Sequence, residues 1–427
     1  MVQEGVKKMK DNRKIVHILI AVSLLFFSLI GYMTYFQFFI SPGLENSAYN
    51  RRRQAAEEDI VRGSIFDRNG TVLAESTINE EGKQQRVYVY GDLYSQVIGY
   101  NSRVYGRSLL EQSYNSYLLG MDEYSKVLDV FNKSAEGKKN GSSLHLTLDH
   151  PIQELGNNLL NGKKGAIVAM NPKTGEILAL VSKPGYDPNE SSLERSWKEM
   201  VESKDSPFLP RATQGLYTPG STYKVLICAL ALENGLDNEK FEDSGSVAID
   251  GKVISNYGGK AYGNIGIAEA LAVSSNVVYS QLGVKLGEDK LKDMAARIGM
   301  GKQVDFDIPV NKSLFEYGAM EKNDLAAVGM GQGKIMVSPL HMAMITSSIA
   351  NDGIMMKPFL VNRIEAPNGL DIKTAKPAVL YRVMQEEIAR KVKAMMQGVV
   401  DSGTGRKAAI KNVKVAGKTG TAENELS

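Results

Sequence analysis

The sequence predicts a mixed α/β (α+β) fold. An N-terminal transmembrane helix and a small mixed domain precede a larger domain, whose antiparallel sheet is flanked by helices and carries an all-helical lobe. Three patterns predict this order: an uncharged apolar run near the N-terminus, paired β-prone runs in the middle of the chain, and helical periodicity after them. At 427 residues the chain is long enough for two or three domains.

Bulk composition argues against several classes of function. The net charge of +3 is small and the charges are dispersed, which does not favour a nucleic-acid partner. The four histidines do not fall at metal-ligand spacing, and a single cysteine can form neither an intrachain disulfide nor a CxxC site. We therefore expect no nucleic acid, no metal and no cofactor.

An apolar segment runs from Ile15 to Ile40 without a formal charge. A helix needs about 20 apolar residues to cross the hydrocarbon core, so residues 15–36 are predicted to be a transmembrane anchor. Basic residues are concentrated in 1–14, and positive flanks stay in the cytoplasm, so this tail is predicted to be cytoplasmic and the rest of the chain extracytoplasmic. A cleaved signal peptide is the alternative, but its apolar region is only about 7–15 residues long. We expect a single-pass protein of the cell membrane.

Residues 41–142 are predicted to form a small mixed domain without a catalytic constellation. Two β-prone runs flank Asp67-Arg68-Asn69-Gly70, which favours a hairpin turn because Asn and Gly tolerate positive φ. Alternation over Arg86–Tyr90 predicts another strand. The composition of residues 136–142 predicts a linker to the next domain.

A larger domain is predicted over residues 143–427. Apolar runs at 165–170 and 176–181 predict a central hairpin with both faces buried. Strands at both ends of the domain enclose a helical middle, which implies a sheet with an inserted helical lobe. The predicted helices are 221–234, 267–273, 276–286, 288–298, 338–351 and 385–401, and the predicted outer strands are 144–148 and 413–423.

The first candidate motif is Ser221-Thr222-Tyr223-Lys224. Pro219-Gly220 interrupts the chain before an apolar helical run, so Ser221 is predicted at a helix N-terminus, where free N–H groups and the helix dipole favour negative charge. Lys224 lies nearly one turn further on, and it can accept the hydroxyl proton if burial or neighbouring cations lower its pKa. Taken alone, this common pattern is more often a plain helix cap beside a solvated lysine.

Two further short motifs follow in order. Ser274-Ser275-Asn276 closes one predicted helix and opens the next, and its hydroxyl and amide can relay a proton and orient a substrate amide. Lys418-Thr419-Gly420-Thr421 falls on the predicted final strand, where Lys418 would face the cleft and Gly420 would let a substrate lie against the backbone. The ordered series S-x-x-K, S-x-N and K-T-G is the signature of penicillin-binding proteins and serine β-lactamases.

Nearly from end to end, the chain resembles a class B penicillin-binding protein, a monofunctional peptidoglycan D,D-transpeptidase. Residues 61–70 (VRGSIFDRNG) resemble the R-G-x-I-x-D-R-x-G element in the N-terminal pedestal of that class, a dimerisation-type domain. Leu146–Asp149 is similar to the opening of its transpeptidase domain, and Gly329–Gly333 to its glycine-rich turn. The short pedestal most resembles the elongation-type members.

The resemblance implies that the Ser221 hydroxyl attacks the penultimate D-Ala carbonyl of a stem peptide and releases the terminal D-Ala. Lys224 would be the base, and the backbone N–H groups of Ser221 and Thr421 would form the oxyanion hole. The implied catalytic residues are Ser221, Lys224, Ser274, Asn276 and Lys418, and the implied substrate-binding residues are Thr419, Gly420 and Thr421.

The resemblance also implies partners. These are peptidoglycan stem peptides, β-lactams, the membrane, and a polytopic glycosyltransferase of the shape, elongation, division and sporulation family. A β-lactamase or a β-lactam sensor is the alternative, since both share the three motifs. The sequence lacks the E-x-x-L-N loop of a class A β-lactamase and the H-E-x-x-H that sensors typically carry.

The C-terminus suggests a third alternative. Members of the resembled family continue beyond K-T-G-T with two more strands and a closing helix, whereas this sequence stops at Ser427. The chain is therefore expected to be truncated just after this motif, with the strand that carries Lys418 as an open edge. The alternative is then an inactive product that acts only as a scaffold partner.

Two further side chains allow simpler interpretations. Cys228 has no histidine beside it and is predicted to be a buried structural thiol rather than a nucleophile. Trp197 fits either packing or the wall of a cleft.

Overall fold

The computed structural model describes residues 2–36, 60–78, 84–125 and 139–421, with side chains from Val16 onwards. The helices are α1 (Val2–Tyr35), α2 (Ser95–Ile98), α3 (Leu109–Ser113), α4 (Asn115–Leu118), α5 (His150–Leu159), α6 (Glu190–Glu202), α7 (Arg211–Gln214), α8 (Lys224–Glu233), α9 (Ile267–Val273), α10 (Asn276–Leu286), α11 (Glu288–Arg297), α12 (Lys322–Gly329), α13 (Pro339–Ala350) and α14 (Glu386–Asp401).

Most strands are short. They are β1 (Ile60–Val61), β2 (Ile65–Phe66), β3 (Val72–Ile78), β4 (Gln84–Tyr88), β5 (Asn101–Ser102), β6 (Gly106–Arg107), β7 (Lys139–Asn140), β8 (Ser143–Leu146), β9 (Gly165–Met170), β10 (Ile177–Lys183), β11 (Lys240–Asp243), β12 (Ser246–Ile249), β13 (Lys252–Ser255), β14 (Gly263–Gly266), β15 (Leu314–Phe315), β16 (Ile335–Met336), β17 (Ile354–Met356), β18 (Val361–Glu365), β19 (Asp371–Thr374) and β20 (Val379–Arg382).

Helix α1 contains the predicted anchor. Residues Val16–Tyr35 have a mean hydropathy of 2.2, and none of the span is buried within the protein. Large apolar side chains such as Leu25 and Phe27 are exposed. A helix of this length and composition is long enough to cross a bilayer.

The predicted hairpin around Asp67 is confirmed. Strands β2 and β3 pair antiparallel on either side of it, and one carboxylate oxygen of Asp67 accepts hydrogen bonds from the backbone N–H groups of Asn69 and Thr71. Strand β4, which contains most of the strand predicted over Arg86–Tyr90, pairs with β3. The beginning of the predicted small domain, at residue 41, lies outside the described residues.

A six-stranded sheet crosses the predicted domain boundary between 142 and 143. Its order is β19-β18-β8-β2-β3-β4, in which β2 and β8 run parallel and the other pairs antiparallel. The described part of the predicted linker is also structured, since β7 pairs with β1. A Cβ added to Gly141 would lie 1.8 Å from the Leu118 carbonyl oxygen, so this glycine is required by close packing rather than by flexibility.

The predicted central hairpin is formed by β9 and β10 in antiparallel register. Strand β10 is largely buried, with helix α5 against it, whereas every residue of β9 is only half-buried. The prediction of two buried faces is therefore wrong for β9. The apolar run GAIVAM indicates a strand, but it does not specify how many neighbours cover it.

The inserted lobe contains the predicted helices α8 to α11 close to their expected bounds, but it is not all-helical. Strands β11 and β14 pair antiparallel, as do β12 and β13. The second pair turns at Asp250-Gly251, where both residues have positive φ. Asp-Gly is a strong signal for a two-residue hairpin, so this strand pair could have been predicted from the sequence.

The predicted strand over 413–423 is wrong within the described residues. Only an isolated bridge joins Ile410 and Val413, and no described strand pairs with residues 414–421. The segment is instead held by helix α14, since the Gly417 N–H donates to the Met396 carbonyl at 3.1 Å. Residues 422–427 lie outside the described residues.

Candidate active site

Ser221 lies on a tight turn that leads into a buried helix. Gly220–Thr222 forms a single 3-10 turn, and α8 begins two residues later. The Gly220 N–H donates to the carbonyl of Gly331 in the predicted glycine-rich turn, at 2.9 Å. A Cβ on Gly331 would lie 2.0 Å from the Gly220 carbonyl oxygen, so only glycine allows this contact, which supports the turn of Ser221.

Lys224 is fully buried at the first position of α8. Its Nζ donates to the carbonyl oxygens of Ser274 at 2.9 Å and Ser275 at 3.2 Å, and to Asn276 Oδ1 at 2.8 Å. These three hydrogen bonds bring the S-x-x-K and S-x-N motifs together. Three donated hydrogen bonds use all three N–H groups of the ammonium form, so an amine that takes the Ser221 proton has to give up one of them.

The environment of Lys224 disfavours its charged form. Burial lowers the pKa of Lys224 well below its ordinary value, and the positive charge of Lys418 lowers it further. The three acceptors are neutral carbonyl and amide oxygens, which provide hydrogen bonds but no counter-charge. An amine with a lowered pKa gives up its proton more readily, which suits Lys224 to act as a base.

Ser274 connects the third motif to the other two. Its backbone is left-handed (φ 59°, ψ 40°) at the end of α9. The hydroxyl accepts a hydrogen bond from Lys418 Nζ at 2.8 Å. Burial lowers the pKa of Lys418 to about 8. Two lysines with lowered pKa values are thus joined through residues 274–276, a pattern that is typical of catalytic sites.

The remaining motif residues line the open side of this cluster. The hydroxyl groups of Thr419 and Thr404 share a hydrogen bond at 2.8 Å. The backbone carbonyl of Thr419 accepts a hydrogen bond from Lys418 Nζ at 2.9 Å. A Cβ on Gly420 would lie 2.8 Å from the side chain of Thr222, so this glycine lies beside the turn of Ser221. Thr421 is exposed.

Sequence reasoning missed two residues behind the site, Asp243 and Asn256. Asp243 is completely buried and accepts a hydrogen bond from the Ser275 hydroxyl at 2.6 Å. Asn256 accepts from the Asn276 N–H at 2.8 Å. Neither residue belongs to a recognisable short motif, so the sequence contains no local signal for either.

Cys228 and Trp197 both prove to be packing residues. The Cys228 thiol is fully buried in α8, lies 3.1 Å from the Met395 sulfur, and has a pKa raised by burial to about 12, which confirms the structural interpretation. Trp197 stacks on Tyr105 with ring centroids 3.9 Å apart and also contacts Phe208. Trp197 therefore belongs to an aromatic cluster that packs α6 against the small domain.

Two family profiles match the chain. Residues 165–425 match the penicillin binding protein transpeptidase domain, and residues 62–144 match the penicillin binding protein A dimerisation domain. The chain belongs to the penicillin-binding protein transpeptidase family. The resemblance to a class B member with a dimerisation-type pedestal is confirmed. Among the described residues, no group of His, Cys, Asp or Glu side chains could hold a metal ion.

Individual relatives agree with the family profiles. The peptidoglycan D,D-transpeptidase PbpA of Mycolicibacterium smegmatis is 31% identical over 437 aligned positions, which cover 97% of this chain and 87% of the relative. The imipenem acyl-enzyme complex of penicillin-binding protein A from M. tuberculosis superposes with a TM-score of 0.81 at 31% identity, over 86% of this chain and 88% of that one. A D,D-transpeptidase domain from Eggerthella lenta gives a TM-score of 0.76 at 34% identity, over 86% and 88%.

Proposed function

We propose that this chain is a peptidoglycan D,D-transpeptidase that forms an acyl-enzyme on Ser221 in cell wall synthesis. One observation supports this most directly. Lys224, the pair Ser274 and Asn276, and Lys418 come from three distant segments of the sequence, yet they share one hydrogen-bonded network at the start of the helix that follows Ser221.

In the proposed acylation, neutral Lys224 takes the Ser221 hydroxyl proton as the oxygen attacks the penultimate D-Ala carbonyl carbon of a stem peptide. The peptide C–N bond breaks, and the terminal D-Ala leaves as an amine. Its proton arrives through the Ser274 hydroxyl, which Lys418 holds with a 2.8 Å hydrogen bond. Proton transfer by positioned groups typically contributes about 10²–10⁴ in rate.

The second half-reaction returns the enzyme to its starting state. The amine of a neighbouring stem peptide attacks the ester carbonyl, the bond to the Ser221 oxygen breaks, and the crosslink forms as the hydroxyl regains its proton. Asn276 would hold the substrate amide. Thr419 and Thr421 would bind the substrate carboxylate beside the positive charge of Lys418, and Gly420 would let the substrate backbone approach.

We further propose the arrangement in the membrane. Helix α1 would span the bilayer with residues 1–14 in the cytoplasm, residues 41–142 would form the pedestal, and residues 143–427 the transpeptidase domain. The exposed apolar surface of α1, including Leu25, is suited to contact with lipid and is also available to an intramembrane partner. We propose a polytopic glycosyltransferase of the shape, elongation, division and sporulation family, and a photo-crosslinking residue at Leu25 should capture it.

The test of function uses the full chain in detergent. A fluorescent penicillin should label the wild type in a stable 1:1 adduct, and Ser221→Ala should abolish the label. Incubation with a pentapeptide stem peptide and a labelled D-amino acid should release D-Ala and incorporate the label. Rapid loss of the penicillin label would indicate a β-lactamase, and a stable label without D-Ala release would indicate a sensor. Either outcome, or labelling independent of Ser221, contradicts the proposal.

A further inference from the structure

A buried carboxylate lies behind the S-x-N motif. Asp243, the last residue of β11, is completely buried and receives four hydrogen bonds. One oxygen accepts from the Gly245 N–H at 3.0 Å and from Asn256 Nδ2 at 2.7 Å. The other accepts from Asn256 Nδ2 at 2.9 Å and from the Ser275 hydroxyl at 2.6 Å. Every partner is a donor, so this position needs an acceptor at both oxygens.

Asn256 transmits this anchoring to helix α10. Its Oδ1 accepts from the backbone N–H groups of Asn276 at 2.8 Å and Val277 at 3.1 Å. These are the first two residues of α10, whose N–H groups have no partner within the helix. Because Asp243 binds the Nδ2 of Asn256, it fixes which end of the amide faces α10.

Ser275 is the second side chain through which Asp243 anchors helix α10. It is the N-cap of α10, and its hydroxyl accepts from the Val278 N–H at 3.0 Å while donating to Asp243. Two side chains held by a single carboxylate thus cap the first turn of α10. This capping fixes the peptide units immediately after the left-handed residue Ser274.

The capped segment provides all three acceptors of Lys224: the carbonyl oxygens of Ser274 and Ser275, and Asn276 Oδ1. We propose that Asp243 and Asn256 are positioning residues, which hold these acceptors so that the Lys224 amine stays within reach of Ser221. This inference rests on the proposed function. Asp243 makes no contact with Lys224 itself, so it acts through the geometry of residues 274–276.

The polarity of the pair allows a reciprocal test. In Asp243→Asn, an NH₂ group meets donors, and in Asn256→Asp, two carboxylates face each other. In the double variant Asp243→Asn/Asn256→Asp, the amide introduced at position 243 can keep its oxygen on the Gly245 N–H and donate to the carboxylate introduced at position 256. The Ser275 hydroxyl can then turn its hydrogen towards position 256, which still accepts from the N–H groups of α10, and the bond from position 256 to the Lys260 carbonyl is lost. Each single variant should slow penicillin acylation by about 10²-fold, a loss that a misplacement of about 1 Å can cause. The double variant should recover at least about tenfold of that loss.

The pH profile separates positioning from mere loss of fold. If the acceptors are displaced, the ammonium form of Lys224 loses hydrogen bonds, so the pKa falls and the acid limb of acylation moves to lower pH. The other groups facing Lys224, namely Lys418 and the Tyr279 ring, are unchanged in these variants. Asn256→Asp adds a negative charge that opposes the shift, whereas Asp243→Asn removes one that adds to it, so the charge-neutral double variant should restore the acid limb of the wild type. A smaller folded fraction would instead lower the rate equally at every pH.

Asp307→Asn is the matched control. This carboxylate also accepts backbone hydrogen bonds, from Leu360 at 2.6 Å and Val361 at 3.2 Å, but it shares no partner with residues 274–276. Its acylation rate per folded molecule should equal that of the wild type. Equal rates in wild type and both single variants, or no recovery in the double variant, would overturn the inference while leaving the proposed function intact.

Amide hydrogen exchange provides a readout that does not need activity. The single variants should lose protection at residues 276–278, and the double variant should regain it. A wild type that fails to react with penicillin contradicts the proposed function, and the exchange data then still test the anchoring of α10. Unchanged protection in both single variants would contradict that anchoring.

Discussion

Two regions of this protein bury positive charge, and they do so in opposite ways. In the small domain, Arg62 and Arg86 are both buried against Glu111, at 2.6 Å and 2.8 Å. In the cleft, Lys224 is buried just as completely, but its three hydrogen-bond partners are neutral oxygens and the charge of Lys418 lowers its pKa further.

The difference shows how one chain separates structure from chemistry. Burial alone would raise the pKa of Glu111, but Arg62 and Arg86 outweigh it and hold this pKa below its ordinary value. The carboxylate therefore stays charged, and Glu111 forms a fixed ion-pair cluster with Arg62 and Arg86. Lys224 has no such counter-charge, so burial lowers its pKa and it gives up a proton more readily. A buried cation paired with a carboxylate keeps its charge, and a buried amine without one can act as a base.

The largest effect is expected on removing the unpaired amine. Lys224→Met should reduce Ser221 acylation by about 10³-fold, because the general base is lost. The free energy of unfolding should fall by no more than about 1–3 kcal/mol, because the acceptors of Lys224 lose their donor while a buried amine without a counter-charge is removed. Stopped-flow acylation and thermal unfolding check the two parts. Lys391→Met, at an exposed position, is the control and should leave both unchanged. A loss of unfolding free energy as large as the rise in activation free energy would contradict the contrast between the paired and the unpaired buried cations.

The paired cluster should respond in the opposite way. Glu111→Gln leaves two buried guanidinium groups without a counter-charge, so the free energy of unfolding should fall by about 3–5 kcal/mol. Urea denaturation measures this change. The acylation rate per folded molecule should remain that of the wild type, since the cluster shares no contact with Lys224 or Lys418. A specific loss of acylation at unchanged stability would show that the two regions are not separate.

Replacing Lys418 should shift the pH dependence of acylation, because the charge of Lys418 lowers the pKa of Lys224. Acylation should rise with pH as Lys224 loses its proton and fall as Lys418, with a pKa of about 8, loses its charge. In Lys418→Met the positive neighbour is gone, so the pKa of Lys224 rises. The acid limb should therefore move to higher pH, and the alkaline limb near 8 should disappear. A shift of the acid limb to lower pH would have the wrong sign.

The smallest effect is expected at the buried thiol. Cys228→Ala removes one buried sulfur from the core around α8 and should cost on the order of 1 kcal/mol of stability. Penicillin acylation should stay within about twofold of the wild type, because the thiol has a raised pKa and is enclosed. Loss of the penicillin adduct in this variant would mean that Cys228, not Ser221, carries it.

Much of the fold was predictable because its signals are local. Helices α9 and α10 have the predicted bounds of 267–273 and 276–286, since residues 274–275 interrupt the periodicity and provide the cap. The hairpin at Asp67 was predictable from its turn. The strand predicted over 413–423 failed because a strand needs a ladder partner, and no described strand pairs with residues 414–421, which local alternation cannot reveal.

The residues of the site could be predicted from the sequence, but their burial and hydrogen-bond partners could not. The three motifs identify Ser221, Lys224 and Lys418 through resemblance, and the structure brings the three motifs together. That Lys224 is completely buried, and that neutral oxygens rather than a carboxylate surround it, follows only from packing between distant segments. Asp243 and Asn256 escaped prediction for the same reason.

Direct titration of Lys224 tests the central claim. The full chain, labelled with ¹³C at lysine Cε and solubilised in detergent, can be titrated by NMR, with the Lys224 signal assigned by its loss in Lys224→Met. We expect a pKa well below about 10.4, the value of an ordinary lysine, and a rise of that pKa in Lys418→Met. A Lys224 signal that titrates at or above the ordinary value would contradict the account, because the amine beside Ser221 would then be an ammonium at neutral pH.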